Sequence, residues 1–139
     1  MTEEQLHAQI VDYIKYMYPD VIFNTDASGI KLTIGQAVKM AKLRSDNGFP
    51  DIAIYEPNKE YRALFFEVKK ETPYKVNGEL KAMKRKRTVN GIIEEYDHLQ
   101  EQNNMHIKLR ARGYRVEFIW SLKMAIKELN DYFQINTSH

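Results

Sequence analysis

The chain contains no cysteine, which removes disulfides, thiol nucleophiles and cysteine-ligated zinc from consideration. Any metal would have to be held by oxygen or histidine. No apolar run approaches the ~18 residues of a membrane span, and the first residues, Met1-Thr2-Glu3-Glu4, are acidic where a secretory leader is basic. A soluble, intracellular protein without membrane partners is the expectation. There is no glycine-rich phosphate loop of the P-loop or dinucleotide type, and no Gly-x-Ser-x-Gly elbow. A large charge excess is missing too: the net charge is +2 and the isoelectric point about 8.7, too mild to establish a nucleic-acid partner by itself. The four histidines, His7, His98, His106 and His139, lack zinc-ligand spacing. His98 and His106 would stand about 12 Å apart along one helix, too far to share an ion. Ordinary packing or surface roles are expected for all four.

What is present is enough for one core. A chain of 139 residues with 43% hydrophobic and 29% charged residues fits a single globular domain spanning 1–139. From Thr2 to Met17, Leu6, Ile10, Val11, Tyr13, Ile14 and Met17 recur at helical spacing, with Thr2 as N-cap. Val21 to Asn24 reads as a short strand, Asp26 to Gly29 as a turn, and Ile34 to Leu43 as a short helix leading into the loop Ser45 to Pro50. Ile52 to Tyr55 and Tyr61 to Val68 read as a hairpin about the turn Glu56 to Glu60. Residues 70–90 carry Pro73, Gly78 and a basic cluster, Lys81, Lys84, Arg85, Lys86 and Arg87. They read as an extended excursion with local helix near Leu80 to Arg87, and phosphate contact is favoured over a merely solvated loop. Ile92 to Arg112 reads as one long helix stopped by Gly113, followed by a strand over Tyr114 to Trp120. Ser121 caps a last helix whose tail is expected to fray from Gln134. The order helix, strand, helix, hairpin, helix, strand, helix predicts an α/β domain with a small mixed sheet flanked by helices.

Charge sits awkwardly at two strand edges. Pro50-Asp51 precedes the apolar run Ile52 to Tyr55, and Glu67-Val68-Lys69 closes the run Ala63 to Phe66. Isolated charge beside a buried strand is costly unless it is paired or bound to metal. Two carboxylates held by neighbouring strands make a hard oxygen site suited to Mg²⁺ or Mn²⁺, and a lysine two residues from one of them shares its face. The arrangement suits metal-dependent phosphodiester cleavage; the alternative is a plain Asp/Glu/Lys salt-bridge cluster. Glu3, on nearly the same stripe as Leu6 and Ile10, is either aimed at such a site or simply a first-turn glutamate favoured by the helix dipole.

The succession helix-Glu, Gly-x-Pro-Asp, strand, Glu-x-Lys, helix-Gln resembles the PD-(D/E)XK nuclease superfamily, and within it the stand-alone VRR-NUC branch. Gly48, Pro50 and Asp51, then Glu67, Val68 and Lys69, carry the likeness. Gln102 ahead of Leu109 to Tyr114 and an apolar strand extends it, so that it covers most of Thr2 to Phe133. The resemblance implies a restriction-endonuclease-like core and a Mg²⁺-dependent DNA endonuclease, with Mn²⁺ able to substitute. Asp51, Glu67 and the Val68 carbonyl would hold the metal, with Glu3, or Glu4 beside it, assisting. Lys69 and Gln102 would serve the attacking water or the phosphate. It further implies branched DNA such as a Holliday junction as substrate, a homodimer, and the cytoplasm of a bacterial or phage-infected cell. Tyr13, Tyr16, Tyr18, Tyr132 and Phe133 could supply the dimer surface or belong to the core. The competing readings are a non-catalytic DNA-binding module on the same fold, using Lys81 to Arg87, and a nuclease acting on linear DNA. A sequence-specific restriction enzyme is disfavoured because no base-reading module is appended.

Overall fold

The computed structural model describes residues 1–25 and 47–137; the expected turn at Asp26 to Gly29 and the helix at Ile34 to Leu43 lie outside them. Helix α1, Glu3–Met17, begins where expected. The Thr2 hydroxyl accepts from the Gln5 N–H at 3.1 Å and the Gln5 side chain accepts from the Thr2 N–H at 2.9 Å, so two N–H groups at the helix start are satisfied reciprocally. Strand β1, Phe23–Thr25, pairs antiparallel with β2, Ile52–Ile54, which pairs antiparallel with β3, Leu64–Val68.

Beyond β3 the structure corrects the sequence reading. Lys84–Val89 is a strand, β4, not a local helix, and Ile92–Asp97 is its antiparallel partner β5, not the first turns of a long helix. Asn90 and Gly91, both at positive φ (51° and 78°), form the two-residue turn between them. An Asn-Gly pair with this backbone is the favoured connection of a tight hairpin. Helix α2 is therefore shorter, His98–Ala111, and is capped by Asp97, whose side chain accepts from the Gln100 N–H. The chain leaves α2 through Gly113 at φ +90° and enters β6, Arg115–Ile119, which runs parallel to β3. Helix α3, Leu122–Thr137, follows, with the Ser121 hydroxyl accepting from the Met124 N–H.

The main sheet has the order β1-β2-β3-β6 and is mixed, as the element order predicted. Alternation along each strand separates its two faces. One face carries Ile52, Ile54, Leu64, Phe66, Val68 and Ile119, packed against Leu6, Ile10 and Ile14 of α1 and Ala125, Leu129 and Tyr132 of α3. Tyr132 is thus core, whereas Tyr16 is exposed. The opposite face carries Glu67, Val116 and Phe118 toward α2, whose Leu99, Met105 and His106 are buried. No described helix is long and apolar enough to cross a membrane.

Gly48 ties the loop before β2 to α2. A Cβ there would lie 2.8 Å from the Glu101 carbonyl oxygen and 3.1 Å from the Gln102 Cα, and φ is +83°. Gly78 has a similar φ, +88°, but faces open space. Both substitutions strain the backbone, and only one also collides with a helix. Gly48→Ala is expected to lose roughly 1–3 kcal/mol and clearly more than Gly78→Ala, as measured by urea unfolding of the two variants.

Candidate active site

Asp51 enters at the head of β2, and Glu67 and Lys69 leave from the tail of β3, all on the α2 side of the sheet. Antiparallel pairing of β2 with β3 brings those two ends together. The contact that locks them is backbone to side chain: the Val68 N–H donates to Asp51 Oδ2 at 2.7 Å. Val68 itself points into the core, so its neighbours Glu67 and Lys69 point away from it, toward α2. Both are buried, at 1% and 5% exposure. Opposite them stand Gln102 and His106, one helical turn apart on α2, both buried as well. The His106 ring packs 4.5 Å from Phe118 and brings Nε2 to 3.5 Å from Glu67 Oε1.

Beside these groups opens a cleft of about 230 Å³ whose wall is mostly polar. Asp51, Glu67, Val68, Lys69 and Gln102 line it, with Gly48 and Phe49 from the preceding loop. Glu3 of α1 is on the rim: it is exposed, and its carboxylate accepts from the Lys70 N–H at a long 3.4 Å. Of the two glutamates at the start of α1, Glu3 is the one that reaches the cleft.

The electrostatics are dominated by one buried acid. Burial pushes the Glu67 carboxyl well above its usual range; the Asp51 charge adds to the shift, as does a hydrogen bond between the two carboxyls, while Lys69 opposes it. Glu67 Oε1 and Gln102 Oε1 are buried without a hydrogen-bond partner. Two adjacent carboxyls, one carrying an unsatisfied buried oxygen, are what a divalent cation relieves. Among the described residues no three acidic or histidine side chains form a ready-made cage. A cation in the cleft would draw on Asp51, Glu67 and the Val68 carbonyl, with Glu3 at the rim.

A packing or surface role was expected for each histidine, and His106 packs against Phe118. Burial, with Arg110 and Lys69 nearby, pushes His106 down to about 3, so its ring is neutral beside Glu67. His98, at the first position of α2, lines the cleft and is pushed down to about 4 by burial, Arg85 and Lys69. The spacing Gln102 to His106 was the available signal, since residues four apart share a helix face. The basic cluster divides. Arg85 lines the cleft, whereas Arg87 lies over the Tyr96 ring at 4.1 Å and bonds Glu94 and Glu101, at 3.0 and 2.8 Å. Lys84 and Lys86 are exposed on the ribbon and Lys81 is half-buried.

A solved structure described as "VRR_NUC domain protein" superposes on this chain with a TM-score of 0.63. The two share a fold. Their sequences are 14% identical, and the match covers 97% of this chain and 90% of the VRR_NUC chain. No family model matches the sequence, and no curated protein does. The likeness to the VRR_NUC structure is one of fold.

The raised Glu67 carboxyl makes a signed prediction. The folded protein retains a proton that the unfolded chain releases near the ordinary glutamate pKa, so this group favours folding at low pH and that contribution is lost as pH rises through the raised value. Without metal, Glu67→Gln should therefore be more stable than the parent at about pH 8, with the difference closing as pH falls into the usual carboxylate range. Urea unfolding across that range, in a chelator, measures it.

Proposed function

We propose that this chain is a Mg²⁺-dependent endodeoxyribonuclease that hydrolyses phosphodiester bonds. The observation that carries the proposal is the cleft itself: a buried Glu67 carboxyl against the half-buried Asp51, beside Lys69, with Gln102 facing them and Arg85 at the edge. A salt-bridge cluster would hold its carboxylates charged and satisfied, whereas here Glu67 has its proton-bound form favoured and one oxygen unpaired. The name of the structure sharing the fold, and the resemblance of the Pro-Asp and Glu-Val-Lys segments, support the same reading.

Asp51, Glu67 and the Val68 carbonyl would hold the cation, with Glu3 contributing directly or through water. A bound Mg²⁺ supplies neutralisation of phosphate charge and a more acidic water; Mn²⁺ serves the same ends. Lys69 presents a cation from the same face, either to orient or deprotonate the attacking water or to stabilise charge on the phosphorus oxygens. The Gln102 amide, with its oxygen unsatisfied, positions Lys69, that water or a phosphate oxygen. Arg85 reaches the cleft from the ribbon and suits a phosphate adjacent to the reacting one. Arg87, with two carboxylate partners of its own, holds the ribbon to α2.

Branched DNA as preferred substrate and a homodimer as acting form belong to the same proposal. One domain presents one such cleft, and resolving a junction takes two cuts, which two copies related by symmetry would supply. Asp51→Ala, Glu67→Ala and Lys69→Ala are each expected to lower cleavage by at least about 10²–10³-fold while leaving DNA binding within a few-fold. The assay is a panel of linear duplex, single strand, flap and four-way junction in Mg²⁺ and in Mn²⁺. Full activity in Asp51→Ala would overturn the assignment. Salt-sensitive binding without cutting in any of these conditions would favour a non-catalytic DNA-binding module.

A further inference from the structure

The β4–β5 ribbon has an apolar end that is exposed among the described residues. Val89, Ile92 and Ile93 flank the Asn90-Gly91 turn, and Ile92 and Ile93 are 71% and 72% exposed. An Asn-Gly turn places no demand on its neighbours for aliphatic side chains. The other end of the ribbon is firmly anchored: Arg87 bonds Glu101 of α2, the His98 N–H donates to the Met83 carbonyl, and Asp97 accepts from the Met83 N–H. A two-stranded hairpin is marginal alone, and these contacts hold it as a rigid arm.

Register connects the arm to the cleft. In β4, Arg85, Arg87 and Val89 share one face, and their cross-strand partners Tyr96, Glu94 and Ile92 share it too. Arg85 lines the cleft on that face. A strip thus runs from the carboxylates through Arg85, past Arg87 over Tyr96, to Val89 and Ile92. From Arg85 to Val89 is four residues, about 13 Å of strand. A nucleic-acid strand advances ~3.4 Å per nucleotide, so that distance is about four nucleotides.

Resting on the nuclease reading above, we propose that the apolar tip of this ribbon contacts nucleobases about four nucleotides from the phosphate held in the cleft, at a break in base stacking. Aliphatic side chains lodged at a base step cost unstacking energy in continuous duplex and much less where a junction, flap or nick has already interrupted the stack. The tip is then the device that selects branched over continuous DNA. A protein partner fits the arm less well. Three aliphatic side chains supply only a fraction of the ~800 Å² per partner of a stable interface, and the strip behind them leads to the Arg85 guanidinium at the cleft.

The test uses the full chain with Ca²⁺ in place of Mg²⁺, so that DNA is held without being cut, and the double variant Val89→Ser/Ile92→Ser, whose sites are exposed and share the strip's face. Four-way junctions carry 2-aminopurine at successive positions from the branch, and the cut site is mapped separately in Mg²⁺. The parent should brighten 2-aminopurine about four nucleotides from the cut, and the variant should not. Junction affinity should fall about tenfold in the variant, with continuous-duplex affinity changed less than twofold. Equal affinities and unchanged fluorescence in parent and variant would overturn the proposal. So would conversion of a dimeric parent to a monomeric variant in sedimentation, which would make the tip a contact between copies. Tip-dependent junction binding without any cleavage in Mg²⁺ would support the tip assignment while overturning the enzymatic one.

Discussion

The hydrogen bond from the Val68 amide to Asp51 is the contact on which the site depends. It joins the first residue before β2 to the last residue of β3, and because it is made by the backbone it does not compete with the side chains on either side of Val68. With Val68 turned into the core, Glu67 and Lys69 are turned together toward α2. Parallel pairing with β6 then places Phe118 alongside Glu67, and α2 closes over both. The outcome is a carboxylate with almost no water of its own, next to a second carboxylate. Only a proton or a cation relieves that arrangement.

The sheet is accordingly specialised by face. The side packed on α1 and α3 is a continuous aliphatic core from Ile10 to Leu129 and supplies stability. The side under α2 mixes Phe118 and Met105 with Glu67, Gln102 and His106, and accepts unsatisfied polar atoms there. Polar groups buried without partners cost stability, so the α2 side is sustained by the α1–α3 side of the same sheet. Gly48 completes the division. It allows the loop carrying Phe49, Pro50 and Asp51 to press against the backbone of α2 without a side chain between them.

Much of this was legible in the chain. The capping box at Thr2, the stripe through Leu6, Ile10 and Ile14, the apolar strands and the Gly113 stop follow local rules of spacing and backbone preference. The pairing of Asp51 with Glu67 and Lys69 was legible because charge at the ends of apolar strands is unusual enough to demand an explanation. The ribbon was misread. Arg- and Lys-rich β4 has little apolar alternation, and Ile92, Ile93 and Tyr96 mimic helical spacing ahead of the true helix. The pair Asn90-Gly91 was the signal that could have separated them.

The sequence by itself determined which residues are costly to bury and which segments are helix or strand by period, because these are properties of side chains and of nearest neighbours along the chain. Only the tertiary structure decided that Glu3 and not Glu4 reaches the cleft and that His106 meets Glu67. It also decided that Arg85 turns toward the carboxylates while Arg87 is held by Glu94 and Glu101. These depend on the angle at which a helix crosses a sheet and on the face a strand presents, which packing between distant segments sets. The Asp51–Glu67 pair belongs to both: its residues were marked in the sequence, and the burial of Glu67 exists only once α2 covers the sheet.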